Sequence, residues 1–220
     1  MRRGLREAAI GLGTYGAYLI VRRLVLTPAG RRRARRNALR VADLERAHGL
    51  NVERHVQAFA IAAPRLGHAL NAGYAVANVM LSVGWLVSLY RRGDAGFARE
   101  RRAAVAAYLG ALPVFLLVPT APPRTLDGYV DTIAASGIDI EHPLLLRFYN
   151  PLAAMPSLHV TFAVITGAGL AGRARSPALQ GAWAWYPAAV SLVVVATGNH
   201  FVLDCVGGVA LGGVARALTR

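Results

Sequence analysis

The sequence predicts an all-α fold, a bundle of six transmembrane helices with an interfacial amphipathic segment between the first and second helices. The first observation behind this prediction is composition: 55% of the residues are hydrophobic, 16% are charged and the mean hydropathy is +0.40. These values lie outside the range of soluble globular proteins. The second observation is that the arginines gather at the ends of apolar stretches. No repeat or linker divides the chain, so residues 1–220 are expected to form one integral membrane domain.

The charge of the chain restricts its partners. The formal net charge is +14, and all 25 basic residues are arginine. Arginine presents a planar fork that binds phosphate groups well. Nucleic-acid-binding proteins are also basic, but here the arginines do not gather on one face of a polar fold, so the sequence favours membrane lipids and excludes nucleic acid as a partner. The single cysteine, Cys205, excludes an internal disulfide.

The first crossing is predicted at the apolar run 8–21, which follows a short basic start. Such a start also suits a signal peptide, but no small-residue cleavage site precedes Arg22, and we expect the helix to be retained. In residues 37–63 apolar positions recur every three or four residues, with arginines, Glu45 and Glu53 between them. This amphipathic segment is too polar to span and is expected to lie along the membrane surface.

Five further apolar stretches predict the remaining crossings: 66–90, 103–118, 155–172, 181–197 and 201–218. In the first of them Asn71, Tyr74 and Asn78 recur at spacings of three and four, so they are expected to share a face that points into the bundle. Pro113 is expected to kink the next helix.

Residues 198–208, GNHFVLDCVGG, place an aspartate in a run otherwise fit for a membrane. A carboxylate in such a run costs several kcal/mol unless it is paired. His200 precedes Asp204 by four residues, so on a helix the two would share one face and the carboxylate could hold the imidazole. An ion pair that only fixes packing is the simpler interpretation of this pair.

A second histidine, His159, follows the sequence Pro-Ser-Leu. Pro156 at a first helical position would leave the first-turn amides pointing outward, and the Ser157 hydroxyl would add a donor to this anion site. Six crossings put Arg124, at the end of PTAPPR, on the same side as His159 and His200. These groups suit phosphoryl transfer: one imidazole attacks phosphorus, another protonates the leaving oxygen, and donors hold the phosphate oxygens.

These motifs carry a resemblance to a known family. The sequence PSLH followed by H-x-x-x-D resembles the second and third signatures of the type 2 phosphatidic acid phosphatase superfamily. The longer set PTAPPR, NPLAAMPSLHV and GNHFVLD is similar to its inositolphosphotransferase branch, which includes fungal inositol phosphorylceramide synthase. The resemblance covers roughly residue 37 to the C-terminus. It implies a metal-independent, cofactor-free membrane phosphotransferase that acts on phospholipid head groups.

The resemblance also implies a role for each site residue. His200 would be the nucleophile that forms a phosphohistidine, Asp204 would orient and charge it, and His159 would be the acid for the leaving group and later the base for the acceptor. Ser157 and Arg124 would bind phosphate oxygens.

Two departures separate the chain from the usual superfamily pattern. The first motif reads Pro-Pro-Arg without a lysine, and Val194 stands where the third motif normally has an arginine. The inositolphosphotransferase branch also lacks that arginine, so the second departure weakens a phosphatase assignment more than a transferase assignment.

Several alternatives stay open at the level of sequence. Water as acceptor would make the protein a phosphatase of lipid phosphates or polyprenyl diphosphates. His159, His200 and Asp204 are also legitimate zinc or iron ligands, although no H-E-x-x-H motif occurs. A non-enzymatic membrane protein is the remaining alternative. Arginines are divided almost equally between the two sides of the membrane, so the positive-inside rule gives no orientation when all are counted. With the basic surface segment set aside, most arginines lie opposite the site, which predicts, as the resemblance also implies, a cell-membrane protein whose site faces outward.

Overall fold

The computed structural model describes residues 2–73, 78–137 and 139–219. The described chain forms eleven helices: α1 (Arg2–Val25), α2 (Pro28–Ala47), α3 (Glu53–Ala62), α4 (Pro64–Ala72), α5 (Asn78–Arg91), α6 (Phe97–Leu117), α7 (Thr132–Ala135), α8 (Pro143–Leu146), α9 (Leu158–Ala171), α10 (Pro177–Ala196) and α11 (Val202–Ala217). A short 3₁₀ turn covers Pro123–Thr125. The predicted all-α class is confirmed.

The helices differ in whether they are long and apolar enough to cross a membrane. Within the described ranges, α10 alone is long and apolar enough to cross a membrane as a single helix. Helices α1 and α2 pass the same test together but meet at an angle of 93°. Helix α9 is apolar but has 14 residues, short of the roughly 20 that a bilayer requires. Helix length and composition therefore do not confirm six crossings.

The predicted helix positions agree best in the C-terminal half. Helices α9, α10 and α11 lie within a few residues of the predicted stretches. Helix α6 begins at Phe97, earlier than the expected 103, because Phe97 packs edge-on against Tyr90 and its helix buries Glu100. Pro113 lies inside this helix.

The predicted stretch 66–90 corresponds to α4 and α5. Asn71 and Asn78 are both buried, as expected: their amides donate to the backbone oxygens of Thr132 and His159. Tyr74, expected on the same face, lies outside the described residues.

Helix α9 is the centre of the bundle and packs against α10, α11, α6 and α5. Glycines let α11 approach it closely. A Cβ at Gly208 would lie 2.6 Å from the backbone oxygen of Ser157, and one at Gly212 would lie 2.9 Å from that of Thr161. This close contact brings the start of α11 beside the start of α9.

The amphipathic segment forms α2 and α3, but its faces are oriented differently from the expected pattern. Its apolar residues Leu44, Val52 and Phe59 are exposed, Phe59 to 77%. Glu45 and Glu53, expected among the arginines of the polar face, are each only 1% exposed. The two acids are therefore buried against the protein, whereas the apolar positions divide: Val41 and Val56 pack against hydrophobic clusters, and Leu44, Val52 and Phe59 face outward.

Candidate active site

Backbone hydrogen bonds tie together the three segments that carry the motifs. Thr120 in the first segment forms a parallel bridge with Ala153 in the second. The N–H of Arg124 donates to the backbone oxygen of Gly198 in the third segment at 2.9 Å. Main-chain atoms therefore help to fix the relative positions of loops that are far apart in sequence.

The turn that presents His200 requires a glycine. Gly198 ends α10 with φ +67°, and a Cβ there would lie 2.5 Å from Nε2 of Gln57. His200 follows in the turn and donates its N–H to the backbone oxygen of Val194 at 3.1 Å. The next residue, Phe201, is completely buried in a cluster with residues of α2 and the Arg124 loop. His200 is thus held on both sides.

The His200–Asp204 pair forms, although not along one helix. His200 precedes α11, which begins at Val202, and Asp204 in the first turn reaches back to it. Oδ2 of Asp204 lies 3.3 Å from Nδ1 of His200 and accepts the N–H of Phe201 at 2.9 Å. The expectation that the His200 and Asp204 side chains share one helical face was wrong, because His200 lies before the helix. The Asp204 carboxylate instead accepts the N–H of Phe201, the N-cap residue of α11. With Nδ1–H donating to Asp204, Nε2 of His200 keeps a lone pair.

His159 occupies the second position of α9, next to His200. The centroids of the two rings are 5.9 Å apart and their planes meet at 56°. Both rings line one cavity of about 550 Å³. The backbone oxygen of His159 accepts the Nδ2–H of Asn78 at 3.0 Å, and Oδ1 of Asn78 accepts the hydroxyl of Tyr186 at 2.6 Å. Helices α5 and α10 therefore buttress the start of α9.

Ser157 is the N-cap of α9, and Pro156 precedes it. The expectation that Pro156 takes the first helical position was therefore wrong. The hydroxyl oxygen of Ser157 accepts the N–H of Val160 at 3.4 Å, and the helix begins at the next residue, Leu158. Ser157 is completely buried, and its own N–H donates to the backbone oxygen of Asp204 at 3.0 Å. It thus joins the starts of α9 and α11.

Arg124 is buried beside the histidines, with 5% of its surface exposed. Its Nε donates to Oδ1 of Asn199, the residue before His200, at 3.0 Å. Its Nη1 pairs with Oδ2 of Asp131 at 3.0 Å. These contacts place the guanidinium next to Asn199, which lines the cavity together with His200.

The cavity is polar at one end and apolar over most of its length. Its polar end contains His159, His200 and Asn199. It follows α9 from Leu158 to Thr166, a helical rise of about 12 Å. Aromatic and aliphatic side chains line this part, among them Tyr15, Val83, Trp85, Leu86, Tyr108 and Phe162. The arrangement suits a molecule with a polar head and a hydrocarbon tail.

Sequence reasoning missed four residues that support the site: Glu45, Glu53, Asn78 and Asn199. The two glutamates bind the first N–H groups of α11, and the two asparagines hold His159 and Arg124. Asn78 had a signal, since its spacing pointed it inward, but nothing in the sequence indicated its partner. Among the residues that the structure describes, no three His, Cys, Asp or Glu side chains are grouped to hold a metal ion.

Comparison with known proteins agrees with this geometry. The family model described as the PAP2 superfamily, the type 2 phosphatidic acid phosphatases, matches residues 39–218. No curated protein and no solved structure matches the chain. The match identifies the superfamily and does not distinguish its inositolphosphotransferase branch. Because it includes all three motif segments and most of the chain, this protein belongs to the PAP2 superfamily, whose members are phosphatases and phosphotransferases.

Proposed function

We propose that the chain is an integral membrane enzyme that moves a phosphate or phospho-alcohol group from a lipid donor to a hydroxyl acceptor through a phosphohistidine at His200. One observation supports this above all. The rings of His159 and His200 lie 5.9 Å apart at the polar end of one cavity, and the second ring is bound to Asp204. A nucleophile, its orienting carboxylate and a second acid–base group thus share one space.

The first half-reaction uses both imidazoles. Nε2 of His200 attacks the phosphorus of the donor, and the bond from phosphorus to the leaving oxygen breaks. His159, in its protonated form, gives a proton to that oxygen and becomes neutral, so the rest of the donor leaves as a neutral alcohol. The Asp204 carboxylate stabilises the positive charge that develops on the His200 ring. The products of this step are the released alcohol and a phosphohistidine.

The second half-reaction regenerates the enzyme. His159, now without its proton, takes a proton from the acceptor hydroxyl, whose oxygen attacks the phosphorus. The bond between phosphorus and Nε2 of His200 breaks, and the electron pair returns to the ring. Both histidines are then in their starting states. The same two groups therefore exchange roles as acid and base.

Charge supports the binding of the phosphate. Arg124 lies behind Asn199, and the start of α9 adds first-turn amides. In this proposal these groups and Ser157 stabilise the equatorial oxygens in the transition state. The hydroxyl of Ser157 caps Val160 in this structure, so its contact with phosphate would be shared with the cap.

The cavity and the surface support a lipid substrate. The cavity beyond the histidines is mostly apolar, with the hydroxyls of Ser82 and Thr166 also in its lining. The outward side of α2 and α3 carries exposed Leu44, Val52 and Phe59. Such a face suits the acyl boundary of a bilayer, with the neighbouring arginines at the anionic head groups. We place the chain in the cell membrane with six crossings and its site at the outer face.

Hydrolysis is the second candidate, because the PAP2 superfamily consists generally of phosphatases. It uses the same phosphohistidine with water in place of the acceptor alcohol. The motif resemblance favours transfer of a phospho-alcohol group, as in the inositolphosphotransferases.

A lipid-resolved assay separates the two. Purified protein in mixed vesicles is supplied with phosphatidylinositol and an acceptor lipid, and separately with phosphatidic acid and with polyprenyl diphosphate. We expect a phospho-alcohol lipid and diacylglycerol from the first mixture, in the presence or absence of a strong chelator. If inorganic phosphate is released from the other two substrates and the first mixture gives no product, the protein is a phosphatase and the transferase proposal is wrong. The exposed His68→Ala variant should match the original protein.

A further inference from the structure

Two buried carboxyls outside the motifs bind the start of α11. Glu45 of α2 and Glu53 of α3 are each 1% exposed. Oε1 of Glu45 accepts the N–H of Leu203 at 2.7 Å, and Oε1 of Glu53 accepts the N–H of Val202 at 3.2 Å. These are first-turn N–H groups of the helix whose next residue is Asp204. Helices α2 and α3 thereby bind the start of α11, the helix whose Asp204 contacts His200.

The second oxygen of each carboxyl lacks a donor. Oε2 of Glu45 and Oε2 of Glu53 are buried and have no hydrogen-bond partner among the described residues. The two carboxyl groups nevertheless lie within hydrogen-bonding reach of each other. Ionised carboxylates only accept hydrogen bonds, so this contact is favourable only when one of the two carries a proton.

The surroundings favour the protonated form. Burial, followed by the hydrogen bond and charge of Glu53 and by the charge of Asp204, raises the pKa of Glu45 to about 9. The titratable or charged groups that face the pair from other elements are Asp204 and Cys205 of α11, Tyr129 of the loop, and Arg54 of α3, which lies over the Tyr129 ring. At neutral pH Glu45 therefore carries a proton.

We propose that Glu45 and Glu53 share one proton and are positioning residues for the catalytic helix, and that loss of this proton at alkaline pH disables the site. With the proton present, the pair binds two N–H groups of α11 and keeps Asp204 at His200. Without it, three buried carboxylates meet at one helix start and repel each other. The proposal rests on the proposed function only in taking His200 as the group that must be positioned.

The same proton determines how the stability of the fold changes with pH. The folded state binds it more tightly than the unfolded chain, since the folded pKa of about 9 lies above the ordinary 4.5. The contribution to stability is therefore complete below about 4.5 and is lost as the pH rises to about 9.

The pH profile of kcat tests the proposal. We expect the kcat of the original protein to fall roughly tenfold between about pH 8 and pH 10, as one proton is lost. Glu45→Gln keeps a hydrogen-bond donor to Glu53 without a titrating proton, so it should stay active, and the kcat of the original protein divided by that of this variant should fall roughly tenfold over the same range. Glu45→Ala should be weak at every pH. Asp43→Asn, on the exposed side of α2, is the matched control and should keep the original profile.

An infrared measurement needs no variant and no turnover. Protein grown with isotopically labelled glutamate should show the carbonyl band of a protonated glutamic acid at neutral pH, and the band should vanish as the pH passes about 9. Absence of this band at neutral pH, or a Glu45→Gln profile that superimposes on the original, overturns the proposal. If the protein turns over no lipid phosphate but shows the band, the proposed function fails and the shared proton stands.

Discussion

Two buried acid clusters lie at opposite ends of α9 and α11, and they are neutralised in different ways. At the end away from the histidines, Glu100 is completely buried among three guanidinium groups: Arg216 at 3.0 Å, Arg99 at 3.1 Å and Arg173 at 3.6 Å. At the other end Asp204, Glu45 and Glu53 bind backbone N–H groups and one imidazole. The first cluster is surrounded by permanent charge and the second by neutral donors.

The difference separates a carboxylate that stabilises the fold from a carboxylate that can take part in a reaction. Arginine never gives up its proton in a protein, so a carboxylate bound to three guanidiniums has no proton to exchange. A carboxylate held by amides and a histidine keeps its ability to stabilise a charge that appears during a reaction. We therefore expect substitutions in the second cluster to affect rate and substitutions in the first to affect folding.

The largest effect should come from Asp204→Asn. The change keeps the shape of the side chain but removes the charge that stabilises the His200 ring, and the rate should fall on the order of 10³-fold. The melting temperature in detergent should move little. A variant with a normal rate would show that the second cluster, which contains Asp204, is also only structural.

His159→Ala should lower the rate by about 10²-fold, because the leaving oxygen loses its proton donor. The nucleophile remains, so a rapid quench should still detect some labelled phosphoenzyme. Complete loss of label would count against the role of His159 as the leaving-group acid. The exposed His68→Ala variant is the control for replacing a histidine.

Glu100→Gln tests the first cluster, where we expect an effect on stability and not on rate. It leaves Arg173 and Arg216 close together without their carboxylate, which should cost about 3 kcal/mol of stability. The melting temperature should fall, whereas the rate measured well below it should stay within about twofold. A selective loss of rate without a loss of stability would contradict the comparison.

Arg99→Ala should have the smallest effect. Its side chain is 46% exposed, so its ion pair with Glu100 is screened by solvent and contributes about 0–1 kcal/mol. Both the melting temperature and the rate should remain close to those of the original protein. A large loss would mean that the Glu100 cluster depends on all three guanidiniums.

The positions of the continuous apolar helices could be predicted from the sequence, whereas the contacts between the helices could be predicted only in part. Helices α9, α10 and α11 are close to the expected stretches, because long runs without charge leave few alternatives. The approach of His159 to His200 followed from the helix order. The reach of Asp204 back across the helix start did not, since a spacing of four residues predicts a helical face and says nothing of a cap.

The orientation of α2 and α3 could not be predicted from periodicity. An apolar stripe indicates that a face is buried, but it does not distinguish burial against protein from burial against lipid. Here Leu44 and Phe59 face outward while Glu45 and Glu53 bind α11. Partners that are far apart in sequence, such as Glu45 and Leu203, leave no local pattern to detect.

The central claim is a covalent bond between phosphorus and His200, and trapping that intermediate tests it most directly. The purified protein is mixed with a donor labelled in its phosphate, quenched within one turnover, digested and mapped by mass spectrometry. We expect an acid-labile, base-stable label on the peptide that contains His200, absent from His200→Ala and present in part in His159→Ala. Turnover without any such label, or a label that persists in His200→Ala, would contradict the account.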